Sequence, residues 1–384
     1  MKKVMIIEAQ NQHLEVLYPQ VISLLNEGFQ VFVAVNEYSY EVDLINSLKN
    51  DNNVNFVVRQ KKQPLFSHFY NLRKFIIKKK INTVIINTLE SSEIAFLYNI
   101  FLRKFNTIRI IHNLDYVYQE NRYDNKFKDY MYRRTIKKIN RSIKYNFVLN
   151  EDVYKTAVGL GYKNMGFFYP IFFDRFYSSQ INNKDFNNNN IIKIGVQGKV
   201  HFSRRNYLSL IDSLKKMPAS YSHRIKIYII GNINTEDGRI FLKEIKNYGL
   251  HKNFVVFNEF INYKKFFELI NEMHFLLPLI DSSIDNYDKY NKHKITSTES
   301  MALVFKKPMI SSKEFKHCCE FKDVSLRYEG ENITNAFIEI LKMTKEDYQY
   351  LINNYSSREK YVVQQKKYIS IINKFYCKER SNPK

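Results

Sequence analysis

Short β-branched runs alternate along the first half of the chain with segments whose apolar residues recur every three or four positions. Val4–Ile7 is a buried-strand run that ends at Glu8. Leu14, Leu17, Val21, Leu24 and Leu25 then fall at helical spacing, and Gly28 closes that helix. Val31–Val35 reads as a second strand, so the three elements form a right-handed βαβ unit. The alternation continues with a strand at Val54–Val58, a helix at Leu65–Lys79, a strand at Thr83–Ile86 and a helix near Ile94–Phe105. A strand at Ile108–Ile111 ends at His112 and Asn113, a long basic helix follows, and Phe147–Leu149 is a further strand. This pattern predicts a doubly wound α/β domain, whose ligands sit beyond the carboxyl ends of its strands.

Around residues 173–190 the pattern lapses into INNKDFNNNN, polar and almost without core positions, which reads as a linker. Alternation then restarts. Strands are expected at Ile192–Val196, Ile225–Ile230, Val255–Phe257 and Phe275–Leu279. Helices are expected at Asn206–Lys216, Ile240–Tyr248 and Lys264–Asn271. Two helical segments close the chain, near Lys345–Asn354 and Arg358–Tyr376. The expected organisation is therefore a first domain over 1–175, a linker over 176–190, a second domain over 191–357, and a last helical segment over 358–384.

The stretch NKHKITSTESMALVFKKPMI, Asn291–Ile310, stands out within the second half. Thr296, Ser297 and Thr298 form a hydroxyl run before an apolar segment, which is a helix N-cap signal. The free backbone N–H groups of such a helix start, with the positive end of its dipole, attract an anion. Glu299 falls in the first turn, where it either complements the dipole or reaches past the terminus. Lys306, Lys307 and Pro308 stop the helix, and Met309 and Ile310 begin a strand. An anion site with a carboxylate beside it suits a phosphorylated ligand with a hydroxylated neighbour, and a nucleotide-sugar fits. The plainer alternative is a capped surface helix.

Composition narrows the partners. The 384 residues suffice for two domains, and 45% hydrophobic content gives each a core. Lys and Arg number 60 against 38 Asp and Glu, a net charge of +22 that calls for an anionic partner. No Arg-Gly or Ser-Arg repeat and no basic tail points to nucleic acid, the weakest of the partner readings. Cys318, Cys319 and Cys377 offer neither a disulfide framework nor metal spacing, which suits a reducing, cytoplasmic setting. The start MKKVMIIEAQ lacks the apolar run of a signal peptide, and no long apolar span is present. Arg133, Lys137, Arg141 and Lys144 form one stripe of the basic helix, opposite Tyr132, Ile136, Ile139 and Ile143. Its ordinary reading is a solvated face; its functional one is adhesion to an anionic membrane surface.

The order of elements resembles that of GT-B glycosyltransferases over almost the whole chain. LLNEGFQVFV at Leu24–Val33 looks like the first helix and second strand of their acceptor domain, and Phe147–Pro170 resembles the segment leading to their linker. GVQGKVHFSRR at Gly195–Arg205 looks like the strand and phosphate loop of their donor domain. TESMALVFKKPMI at Thr298–Ile310 is similar to the donor signature of the large retaining group. The resemblance implies two Rossmann-like domains facing across a cleft, with the last helix crossing back to the first domain. It implies that Glu299 holds the nucleotide ribose; a carboxylate can accept from two vicinal hydroxyls at once. Where the signature has its first acid this chain has Asn291, the sugar-side candidate.

Lys199, Arg204 and Arg205 follow the first strand of the second half and would stabilise the charge of a diphosphate leaving group, with Lys294 as a further candidate. The resemblance implies an Arg and a Lys in that loop. Thr296, Ser297 and Thr298 would contribute backbone N–H groups. Inverting relatives place a general base in the loop that holds His13, and retaining ones place a histidine near the strand end that holds His112. Both remain catalytic candidates, and the stereochemistry stays open. No Asp-x-Asp occurs, so no metal is expected on the diphosphate, and no cofactor motif is present. The expectation is transfer of a sugar from a nucleotide-sugar donor to a glycan or lipid-linked acceptor. A sugar-nucleotide 2-epimerase and a non-catalytic nucleotide-sugar-binding protein are the rivals.

Overall fold

The computed structural model describes residues 2–118, 125–170, 186–187, 190–315, 321–330, 332–355 and 358–378. The chain divides into two compact units, residues 1–176 with 358–384, and residues 177–357. Helices of nine residues or more are numbered below.

In the first unit the elements run β1 (Lys2–Ile7), α1 (Leu14–Asn26), β2 (Phe29–Asn36), β3 (Val54–Arg59), α2 (Leu65–Lys79), β4 (Thr83–Ile86), α3 (Ser92–Phe101) and β5 (Asn106–Ile110). They continue with α4 (Lys126–Ser142), β6 (Tyr145–Val148), α5 (Glu151–Gly159) and β7 (Met165–Phe167). All seven strands are parallel, in the order β3-β2-β1-β4-β5-β6-β7. The order reverses between β1 and β4, where a crevice opens at the carboxyl ends. One face of the sheet packs Met5, Phe32 and Val84 against α2, α3 and α4 through Leu72, Tyr98 and Ile136.

The second unit runs β8 (Ile192–Gln197), α6 (Tyr207–Lys216), β9 (Ile225–Asn232), α7 (Glu236–Asn247), β10 (Phe254–Phe257), α8 (Tyr263–Glu272) and β11 (Phe275–Leu276). It ends with α9 (Ser297–Phe305), β12 (Met309–Ser312), β13 (Ser325–Tyr328), α10 (Ile333–Lys342) and α11 (Lys345–Asn353). Its parallel sheet has the order β10-β9-β8-β11-β12-β13, so its reversal lies between β8 and β11. The last helix, α12 (Arg358–Lys378), belongs to the first unit. There Tyr368 stands 4.9 Å from the Phe147 ring and 4.7 Å from that of Phe168, burying its own ring. Among the described residues no helix is long and apolar enough to cross a membrane.

Several sequence expectations are corrected. The strand expected at Phe275–Leu279 stops at Leu276, because Leu279 takes a left-handed φ of 54° that turns the chain out of the sheet. β7, β13, α5 and α10 had no counterpart in the sequence reading. Their patterns are short, and β7 and β13 span only three and four residues. Most of the stretch read as a linker, like Cys318, Cys319 and the Cys377 side chain, lies outside the described residues. Phe186 within that stretch is 1% exposed and stacks on Tyr348 at 4.4 Å, so the run does carry a core residue.

At the top of the second sheet, β8 and β9 end in close backbone contact. A β-carbon built on Gly231 would lie 2.4 Å from the carbonyl carbon and oxygen of Gly198. Backbone cannot yield as a side chain tip does. Gly231→Ala is therefore expected to cost about 3 kcal/mol, measured by urea unfolding. An unchanged midpoint would count against this close approach.

Candidate active site

Three neighbouring strands of the first sheet end in polar residues. β1 ends before Glu8, β4 before Asn87 and Thr88, and β5 two residues before His112. All four side chains are buried. Glu8 is fully enclosed; its carboxylate accepts from Asn87 Nδ2 at 2.7 Å, from the Gln10 amide at 2.8 Å and from Thr88 Oγ1. Burial raises its pKa, and the hydrogen bonds from Thr88, Asn87 and Gln10 only partly oppose that rise.

Asn87 is the hub. Its Oδ1 accepts from Gln20 Nε2 at 2.7 Å, and its Nδ2 also donates to the His13 carbonyl at 3.2 Å. Its own carbonyl accepts from His112 Nε2 at 2.7 Å. A carbonyl can only accept, so the proton of neutral His112 sits on Nε2 and the ring lone pair on Nδ1. Gln20 in turn accepts from the Tyr368 hydroxyl at 2.9 Å. A buried chain of hydrogen bonds thus runs from α12 through α1 to the residues under the crevice.

His13 and His112, far apart in sequence, come together here. Their rings stack with centroids 3.7 Å apart and 9° between planes. His13 holds the N-cap position of α1 at φ 57°, with Nδ1 3.2 Å from Glu15 Oε1. Burial pulls its pKa down, but Glu15, by hydrogen bond and charge, and then Glu90 and Glu8 together raise it above the ordinary 6.5. Stacked imidazoles tolerate one positive charge between them better than two. The pair can therefore take one proton from a hydroxyl and hold it against Glu15.

In the second unit, the loop after β8 turns at Gly198, φ 95°. The loop after β11 clamps it. Asn206 donates from its amide to the Leu279 carbonyl at 2.9 Å and from Nδ2 to Ser283 Oγ at 2.8 Å, while Asn286 Nδ2 donates to the Ser203 carbonyl at 2.9 Å. Asn206 also caps α6 by accepting from the Ser209 amide. The three cations of the loop separate here. Lys199 and Arg204 are exposed, whereas Arg205 is 7% exposed. A β-carbon on Gly198 would lie 3.7 Å from both terminal nitrogens of Arg205. Its buried Nε has no hydrogen-bond partner among the described residues. A groove of about 790 Å³ is lined by Arg205, Lys216 and Ser283, together with the acids Asp212 and Glu329.

Thr296 caps α9, accepting from the Glu299 amide at 3.1 Å, and Glu299 Oε2 accepts from the Thr296 amide at 2.8 Å. One oxygen of the proposed ribose ligand is thus a cap, although a carboxylate offers about four acceptor positions. Ser297 is exposed; Thr298 is fully buried, and its hydroxyl has no partner among the described residues. At the end of β8, Gln197 is likewise buried with neither amide atom bonded. Lys294 lies 4.4 Å over the Tyr290 ring, and Asn291 Nδ2 donates to the Tyr287 hydroxyl at 3.2 Å.

No family model matches the chain, and no curated protein does. Solved structures match over its whole length. Anabaena HepE, in complex with UDP and glucose, superposes with a TM-score of 0.62 at 10% identity, covering 99% of this chain and 100% of its own. The catalytic domain of starch synthase IV from Arabidopsis thaliana, bound to ADP and acarbose, gives 0.63 at 10% identity, with 100% of both chains covered. The fold is GT-B. Another GT-B match is a UDP-N-acetylglucosamine 2-epimerase from Rickettsia bellii, at a TM-score of 0.59 and 13% identity over 100% of this chain and 99% of that one. Glycosyltransferases and epimerases thus both stand among the structural neighbours.

Sequence reasoning singled out both histidines that this GT-B chain stacks together, but not Glu8, Asn87, Thr88, Gln20, Gln197 or Tyr368 around the two strand ends. Polar residues at consecutive strand ends were the available signal for the first three. Folding raises the His13 pKa, so the protonated ring adds stability that is fully present below the ordinary 6.5 and disappears as pH rises through the raised value. Glu15→Gln is expected to move the His13 titration, followed by imidazole NMR, to lower pH, and the loss of stability with it. A His13 titration that stays in place would remove Glu15 as its cause.

Proposed function

We propose that the chain is a glycosyltransferase that uses a nucleotide-diphosphate sugar and needs no metal on the diphosphate. The observation that carries the reading is Arg205, a buried guanidinium beside the Gly198 turn without a counterion among the described residues. Leaving a buried charge uncompensated is costly, and a diphosphate oxygen supplies what it lacks. Arg205 would grip one phosphate in a bidentate manner, with Lys199, Arg204 and Lys294 adding charge from more open positions. The first-turn amides of α9, at Ser297 and Thr298, would bind a second phosphate. Glu299 would accept from the ribose hydroxyls, held in place by its bond to Thr296. Gln197 and Thr298, buried with unbonded polar atoms, would turn towards the ligand. Asn291 is the sugar-side candidate.

At the other substrate, the His13–His112 pair would accept the proton of the attacking hydroxyl, with Glu15 stabilising the cation that forms. The acceptor is a glycan or a lipid-linked sugar, and the setting is cytoplasmic. The epimerase neighbours support a second reading, in which the nucleotide-sugar is turned over with no acceptor at all.

A panel of nucleotide-sugars should raise the melting temperature for the true donor. With donor and acceptor, nucleoside diphosphate is expected to be released, and Arg205→Ala should reduce kcat/KM by about 100-fold, as loss of a charge-assisted bidentate contact does. Donor binding unaffected by that substitution would sink the assignment. Turnover without acceptor, giving an isomeric nucleotide-sugar and no free diphosphate, would select the epimerase reading.

A further inference from the structure

Helices α2, α3 and α4 bury their inner faces in one core on the same side of the first sheet, so their outer faces point the same way. Those outer faces are not ordinary polar surface. Phe66 is 58% exposed on α2, Phe96 49% on α3 and Phe127 74% on α4. Tyr70, Ile77, Ile100, Tyr130 and Met131 are also exposed there. The three helices carry close to half of the exposed large hydrophobic side chains among the described residues. Phe66 and Tyr70 both meet Phe101 of α3 edge-on, at 4.9 and 6.2 Å, which joins α2 and α3 into one surface.

Positive charge is interleaved with these groups. Exposed Lys74 and Lys78 stand on α2, Arg103 follows α3, and Arg134 and Lys138 continue the Phe127–Met131 stripe of α4. On the three helices themselves, Glu93 is the exposed acid among the described residues, since Asp129 is buried and bonded to Arg133 Nε at 2.9 Å. The structure thus adds two helices to the single basic stripe read from the sequence.

We infer that this three-helix face docks the protein on an anionic lipid bilayer. Headgroups of an acidic membrane attract Lys and Arg, while the interface below them accepts aromatic rings and aliphatic tips. A second copy would bring like charge against like charge at a two-fold contact. Nucleic acid would leave Ile77, Ile100 and Met131 without a role, because aliphatic tips provide no stacking face. The inference stands apart from the chemistry proposed above, and its test does not depend on it.

The full chain is floated with vesicles of phosphatidylcholine alone and with vesicles containing about one third phosphatidylglycerol. Binding is expected only to the second, and it should weaken as salt is raised. Arg134→Glu with Lys138→Glu should weaken it by at least about 25-fold, roughly fivefold for each charge lost. Phe96→Ser with Phe127→Ser should weaken it by about tenfold or more while far-ultraviolet circular dichroism and the melting temperature of the free protein stay unchanged. The inference is overturned if neither vesicle is bound, if both are bound equally, or if the variants bind like the parent. It is equally overturned if the same substitutions abolish DNA binding or self-association and leave vesicle binding intact.

Discussion

A parallel sheet covered on both faces can meet a ligand only where its strands stop. Every buried polar group in its interior has to be satisfied, so strands read as apolar runs, and chemistry is displaced to the carboxyl ends. Both units of this chain obey that constraint. In the first, β1, β4 and β5 bring Glu8, Asn87, Thr88 and His112 side by side at their ends, and the charge inside the sheet, Arg109 of β5, is held by Asn146 Oδ1 at 2.8 Å. In the second, β8 buries Ile192, Ile194 and Val196 before Gln197, and the chain then turns at Gly198. The switch in strand order leaves room above each set.

The two ends differ in their electrostatics. Above the first sheet, charge is answered locally: Glu15 faces His13, and Glu8 is held by Asn87, Thr88 and Gln10. Above the second, Arg205 is enclosed without an answer among the described residues. That contrast matters more than the overall +22. A surface lysine loses little when no partner is present, because water screens it. A guanidinium at 7% exposure has less of that shield, which is why the proposed diphosphate is assigned to it.

The fold was legible because period and length suffice for buried strands and long helices. Leu65–Lys79 and Thr83–Ile86 have the same bounds in sequence and structure. What escaped notice was short or nonlocal. Met165–Phe167 is too brief to show alternation. The stacking of His13 on His112 depends on β1 and β5 flanking β4, a fact of topology that spacing along the chain does not encode. Within the basic loop, sequence gave Arg204 and Arg205 equal standing. Only the turn at Gly198, with the clamp of Asn206 on Leu279, explains why one is enclosed and the other faces water.

The nonlocal contribution extends to the last helix. Gln20 lies on α1, where a buried amide costs free energy unless both its ends are bonded. Its nitrogen satisfies Asn87, and its oxygen needs a donor that no strand of the sheet supplies; Tyr368, more than three hundred residues later, provides it. Asn87 can hold the His13 carbonyl and the Glu8 carboxyl in fixed directions only while its own Oδ1 is held by Gln20. The histidine pair is thus oriented by a chain of buried dipoles that begins on a helix added after the second unit is complete. Because each link donates in one direction, reversing Asn87 would set its nitrogen against that of Gln20, and reversing Gln20 would set its oxygen against Asn87 Oδ1, so each amide fixes the next.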